Sequence, residues 1–140
     1  MKTPEEKSYE IKIMDDILYI TLLHDNVTEE MMDVAINERL ALTQDQSYPF
    51  LADIRKLKSV SRAAKQRLIQ KDSFHGVLCT AFLIDSKTQE VMFHFFKIFY
   101  KIPIPIKMFT NKEKALEWVQ QYKIGSSTKT VEILKFATFA

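Results

Sequence analysis

Two serines and two aspartates are the residues best placed in this sequence to do chemistry. Ser59 and Ser61 stand where a helix should begin, and free N–H groups and the helix dipole favour a phosphate there. The plainer role of Ser61 is to cap that helix. Asp53 and Asp85 each follow an apolar run that reads as a strand, which puts them in the crevice at the strands' carboxyl ends, where open α/β sheets bind ligands. Two carboxylates facing one cleft suit acid–base work. Structural roles compete with that reading, because Asp85 sits beside Ser86 at a helix start and Asp53 is placed for an ion pair. Arg39 is the expected partner of Asp53. At helical spacing it falls among Met31, Met32, Ala35, Ile36 and Leu42, and a cation on a buried face needs compensation. Snorkelling of Arg39 to the helix edge is the rival arrangement.

Other chemistries find little support. His24, His75 and His94 lack the i, i+4 spacing that puts two metal ligands on one helical face, so no metal is expected. Cys79 lies within VLCTAFLI, where it reads as a small buried hydrophobe and not an activated thiol. Gly76 and Gly125 belong to no Gly-rich turn of the kind that cradles phosphates, so no nucleotide or other cofactor is expected. The stretch from Arg55 to Lys71 carries Lys and Arg but no acid, whereas Asp25 to Asp45 is predominantly acidic. That segregation makes a dipolar surface, yet no aromatics interleave with the bases, and the formal charge of +2 is small, so nucleic acid is not an expected partner.

The segment KTQEVMFHFFKIFYK is apolar on more than one side. At 100° per residue, Val91, Phe95, Ile98 and Phe99 share the face expected to meet a sheet, while Phe93, Phe96 and Tyr100 form a second face. That second face needs a cover: another part of the chain, a second copy in a homodimer, or an apolar ligand.

The elements that position these residues follow from pattern. Tyr9 to Met14 and Ile17 to Leu23 alternate apolar and polar around Asp15-Asp16, the signal of a β-hairpin. Helices are predicted over Thr28 to Thr43, Ser61 to Asp72, Ser86 to Tyr100, and from the Thr110/Glu113 capping box to about Lys123. Strands are predicted at Phe50 to Ile54 (after Pro49 ends a loop), Val77 to Ile84 and Ile106 to Phe109. Gly125-Ser-Ser-Thr reads as a hinge, and Val131 to Phe136 as one last short strand or a partner contact. Hence residues 1–123 are expected to form one α/β domain, with 124–140 a C-terminal tail. The start MKTPEEKSYE has no apolar stretch, no run reaches membrane-spanning length, and the lone cysteine fits a reducing, cytoplasmic setting.

The stretches YPFLADIRKLKSVS, VLCTAFLIDS, IPIPIKMF and TNKEKALEWVQQY resemble the SpoIIAA-like, or STAS/SEC14-like, bacterial proteins. The resemblance spans roughly residues 10 to 123, and rests most on Asp53 after a strand and on the Phe-Thr-x-x-x-x-Ala-x-x-Trp pattern from Phe109 to Trp118. It implies a mixed sheet with an N-terminal hairpin and crossover helices packed on the sheet. It also implies a non-enzymatic regulatory or protein-interaction module, in the better-understood relatives switched by phosphorylation of a helix-start serine. Ser61 holds that place, although Val60 precedes it and Arg62-Ala63 follow, where those relatives have Asp and Ser-Gly. The alternative, through kinship with lipid-transfer folds, is a small binding protein for an apolar or lipid-like ligand.

Overall fold

The computed structural model describes residues 8–123; the expected hinge at Gly125 and strand at Val131 to Phe136 lie outside them. Strands β1 (Tyr9–Met14) and β2 (Ile17–Leu22) form the expected hairpin. Asp15 and Asp16 both take positive φ, the two-residue turn whose twist matches the flanking strands. A two-residue strand β3 (Asn26–Val27) follows, then α1 (Glu29–Thr43). Its N-cap Thr28 accepts a hydrogen bond from the Met31 amide, and Glu29 and Glu30 stand in the first turn, where the dipole favours them.

β4 (Tyr48–Asp53) starts earlier than expected, because Pro49 lies inside it and not in a loop. Its register with the next strand slips between Tyr48 and Pro49, so the missing amide falls at an irregularity where a ladder bond is dispensable. After β5 (Ser59–Val60), α2 (Arg62–Leu68) is shorter than the spacing predicts and is followed by a separate 3-10 turn, Lys71–Phe74. β6 (Val77–Leu83), α3 (Lys87–Phe99), β7 (Ile106–Phe109) and α4 (Lys112–Gln120) complete the described chain. Asn111, and not Thr110, caps α4 by accepting from the Lys114 amide.

The main sheet runs β1-β2-β4-β6-β7, antiparallel only at the hairpin, and β3 pairs with β5 in a small parallel ladder. Alternation along the strands divides the core between two faces. Ile17, Leu51, Cys79 and Ala81 meet Ala115 and Val119 of α4, with Phe109 and Trp118 packed at the margin. Phe50, Ala52, Thr80 and Phe82 point the other way, toward α1, α2 and α3. Gly76 opens β6 at φ 75°, where a Cβ would lie 2.9 Å from the Gln46 carbonyl oxygen, so glycine is required there.

Candidate functional site

On the α1–α3 side, buried clusters around Ala52 and Ile54 and around Leu18 and Phe50 leave a partly open apolar pocket between them and the helices. This cavity measures about 230 Å3, and its wall is almost wholly apolar. Met31, Met32, Ala35 and Ile36 come from α1, Leu68 from α2, Met92, Phe93 and Phe96 from α3, and Phe50, Ala52 and Phe82 from the floor. The polar side chains on the wall include Arg39, Lys65 and Tyr9. Tyr9 donates to Glu38 at 2.6 Å, tying β1 to α1.

The rotation of α3 corrects the expected assignment of its faces. Phe93 packs tilted against Phe82 with centroids 4.6 Å apart, Phe96 follows at 6.4 Å, and Tyr100 lies 4.9 Å beyond Phe96. Val91, Phe95, Ile98 and Phe99, expected against the sheet, are exposed instead, Phe99 by 75%. The cause is Gln89, only 4% exposed, whose side-chain amide donates to the carbonyls of Ile54, Arg55 and Leu57 at 3.1, 3.1 and 2.8 Å. Its own carbonyl oxygen accepts from the Asp85 amide at 3.0 Å. Those bonds fix the first turn, and residues 92, 93 and 96 follow it inward at helical spacing. Replacing Gln89 by Leu strands buried carbonyls, for which about 2 kcal/mol of stability loss is expected, measured as a lower urea midpoint at unchanged slope.

Arg39 and Asp53 do not form the expected pair. Arg39 is 3% exposed, and its guanidinium lies 5.3 Å from the Phe50 ring centroid. It donates to the carbonyl oxygens of His75, of Ser73 (2.8 Å) and of Asp72 (3.3 Å). Asp53 instead accepts from Arg55 Nε at 2.9 Å and Nη2 at 2.7 Å. Chain direction explains the miss: a helix crossing between parallel strands runs back along the sheet, so its last turns reach the strands' amino ends. Arg39 lies near that end and Asp53 closes the other. The Arg55 hydrogen bonds hold the Asp53 carboxyl below the usual carboxylate range, so it is an ionised ion-pair member.

Asp85 and Ser86 line an open cleft of mixed polarity at the strands' carboxyl ends, together with His24, Asp25, Arg55, Lys56 and Lys58 and the apolar Leu23 and Leu57. Asp53 reaches that region only through Arg55, which shares the wall with Asp85. Ser61 caps α2 by accepting from the Ala64 amide at 3.0 Å, and the exposed Ser59 donates to Asn26 Oδ1 at 2.7 Å, joining β5 to β3. Burial pushes the Cys79 thiol up to about 12. Among the described residues no group of three His, Cys, Asp or Glu side chains could hold a metal ion, and no helix is long and apolar enough to cross a membrane.

Sequence reasoning missed two components. Arg67, 7% exposed, joins Asp33 of α1 (2.8 Å) to Asp72 (2.8 and 2.9 Å), and Lys65 lines the cavity from the same helix. Both belong to the basic run from Arg55 to Lys71, whose position opposite the acidic α1 segment was the available signal.

A family model described as a domain of unknown function, DUF7793, matches residues 10–123. No curated protein matches the chain. Among solved structures, an uncharacterised protein of the DUF3478 family with a SpoIIAA-like fold, from Shewanella loihica PV-4, is similar at 21% identity and a TM-score of 0.58, over 79% of this chain and 91% of that one. An anti-sigma factor antagonist from Mycobacterium paratuberculosis gives 10% identity and a TM-score of 0.56, over 86% and 99%. The anti-sigma factor antagonist SpoIIAA in its unphosphorylated form gives 14% and 0.53, over 80% and 97%. At these identities the likeness shows the fold, a SpoIIAA-like mixed sheet with helices on both faces.

Proposed function

The chain belongs to the DUF7793 family, a domain of unknown function, and we propose on that footing that it is a non-enzymatic STAS-like module that works by binding an apolar, chain-like ligand. The observation that carries this reading is the cavity between α1–α3 and the sheet. The pocket is partly open to solvent, and its apolar space of about 230 Å3 is room that an apolar guest would fill and water would hydrate poorly. It is below the roughly 300–1,000 Å3 of drug-sized pockets and suits one slim chain. Flexible Met31, Met32 and Met92 adapt to such a guest at little cost.

A second reading, a protein-interaction module like the anti-sigma factor antagonists of the same fold, is favoured by the outer face of α3. Val91, Phe95, Ile98 and Phe99 stand exposed together, and Phe95 and Phe99 stack on each other with centroids 6.4 Å apart. A homodimer or another protein would cover them, and the exposed Ser59 is the more accessible serine for a phosphate switch in that case.

Native mass spectrometry of the protein taken from its own cells separates the readings. Ligand binding predicts a monomer with a retained small-molecule mass. The contact reading predicts a bare dimer that Phe99→Glu converts to monomer. A bare chain that also fails to bind a medium-chain alcohol by calorimetry would remove the ligand reading.

A further inference from the structure

We infer that the guest of the cavity is an unbranched apolar chain ending in a carboxylate, with Arg39 as the head-group anchor and Lys65 as a second cation. The inference rests on the ligand reading above and adds the chemistry of the head. Among the described residues the ionisable groups on the cavity wall are Tyr9 and two cations, Arg39 and Lys65, and no Asp or Glu lines it. Lys65 is half-buried and has no carboxylate partner among the described residues.

Arg39 is the stronger of the two indications. Nearly all of the side chain is buried, yet its direct acceptors are three backbone carbonyls, which offer dipoles and not a counter-charge. The nearest acid, Asp72, is already held by both Nη atoms of Arg67. The Arg39 Nε–H meets no acceptor among the described residues. Burial accordingly presses its pKa down from the usual arginine value. Asp72 is the acid that acts on Arg39, but no described carboxylate touches the guanidinium directly, so a largely buried cation set in an apolar wall matches a ligand that brings its own negative charge.

Size fixes the tail. At about 30 Å3 per water-sized group the cavity has room for about eight methylenes, given its volume of about 230 Å3. Phe50 lies under Arg39, and Phe82, Phe93 and Phe96 lie farther along the wall, so a chain anchored at Arg39 would run toward α3.

The test compares decanoate, 1-decanol and decylamine by calorimetry on the delipidated chain. Decanoate is expected to bind about 10- to 100-fold more tightly than 1-decanol, the worth of one or two charge-assisted hydrogen bonds, and decylamine more weakly than either. Arg39→Gln should weaken decanoate far more than 1-decanol, closing most of the gap between them, and Lys65→Met should give a smaller loss of the same kind. Should Arg39→Gln fail to fold, the three-way comparison on the unmodified chain and Lys65→Met still decide. Equal binding of decanoate and 1-decanol overturns the carboxylate inference and leaves the ligand reading standing. Binding of none of the three overturns both.

Discussion

Arg67→Ala is expected to cost about 3 kcal/mol or more, a large part of the roughly 5–15 kcal/mol that holds a domain of this size folded. Arg67 is 7% exposed and is the clasp between three elements. Its Nε donates to Asp33 of α1, its Nη atoms to both oxygens of Asp72, and Nη1 reaches Ser73 Oγ at 3.3 Å. Ser73 Oγ donates in turn to the Arg67 carbonyl at 3.0 Å. Asp33 and Asp72 are about half exposed, so water recovers them when the guanidinium goes, and the loss lies toward the lower end of the range for broken buried pairs. Lysine cannot span two carboxylates in a planar fork, so Arg67→Lys should regain only part of the stability. The check is urea denaturation of both variants, and a loss below about 1 kcal/mol for Arg67→Ala would place the clasp among ordinary surface pairs.

The same clasp sets a pH dependence. Hydrogen bonds from Arg67 hold the Asp72 carboxyl below its ordinary value, and Arg55 does the same for Asp53. A depressed folded-state pKa contributes stability that is present above the unfolded value near 4 and lost as pH falls through the folded value. Acid below about pH 4 should therefore weaken the parent chain, and Arg67→Ala should lose less across that range because Asp72 has been freed.

What the sequence discloses, and what it hides, follows from where each signal resides. The hairpin was legible because β1 alternates and Asp15-Asp16 parts it from a second β-branched, apolar-rich run, a pattern that reads as two strands around a tight turn. The inner face of α3 was not, because the segment is aromatic around most of its circumference and periodicity offers two faces of similar weight. Gln89 breaks that tie through bonds to main-chain carbonyls, and acceptors of that kind have no residue type to read. Arg39 was rightly placed on a buried face for its spacing, but its acceptors are again backbone oxygens. The Asp53–Arg55 pair lies two residues apart and was readable locally. β3 and β5 are two residues each, too short for any period to show. A cavity leaves the faintest trace, since space has no letter; Ala52 and Ala81 read alike in the sequence, and only the first lines the pocket.

Ala52→Leu is expected to leave the fold at least as stable as the parent and to lower the affinity for 1-decanol and decanoate at least tenfold, whereas Ala81→Leu should cost about 1–3 kcal/mol. Both alanines are buried in neighbouring central strands, at 4% and 0% exposure, so strand position and chemistry are matched and only the facing side differs. Ala81 points at Ala115 and Val119 of α4, where the sheet and helix already fill the space, and added methyls must force rotamers or backbone aside. Ala52 pairs across the ladder with Ile20 and Phe82 and lines the cavity, so a leucine there extends toward that space and gains buried area. The added side chain then occupies the room that a ligand tail would need. Thermal unfolding of the two ligand-free variants and calorimetry of Ala52→Leu supply the comparison. If Ala52→Leu destabilises as much as Ala81→Leu, the space between α1–α3 and the sheet is not available to a guest, and the protein-contact reading built on Phe95 and Phe99 becomes the one to pursue.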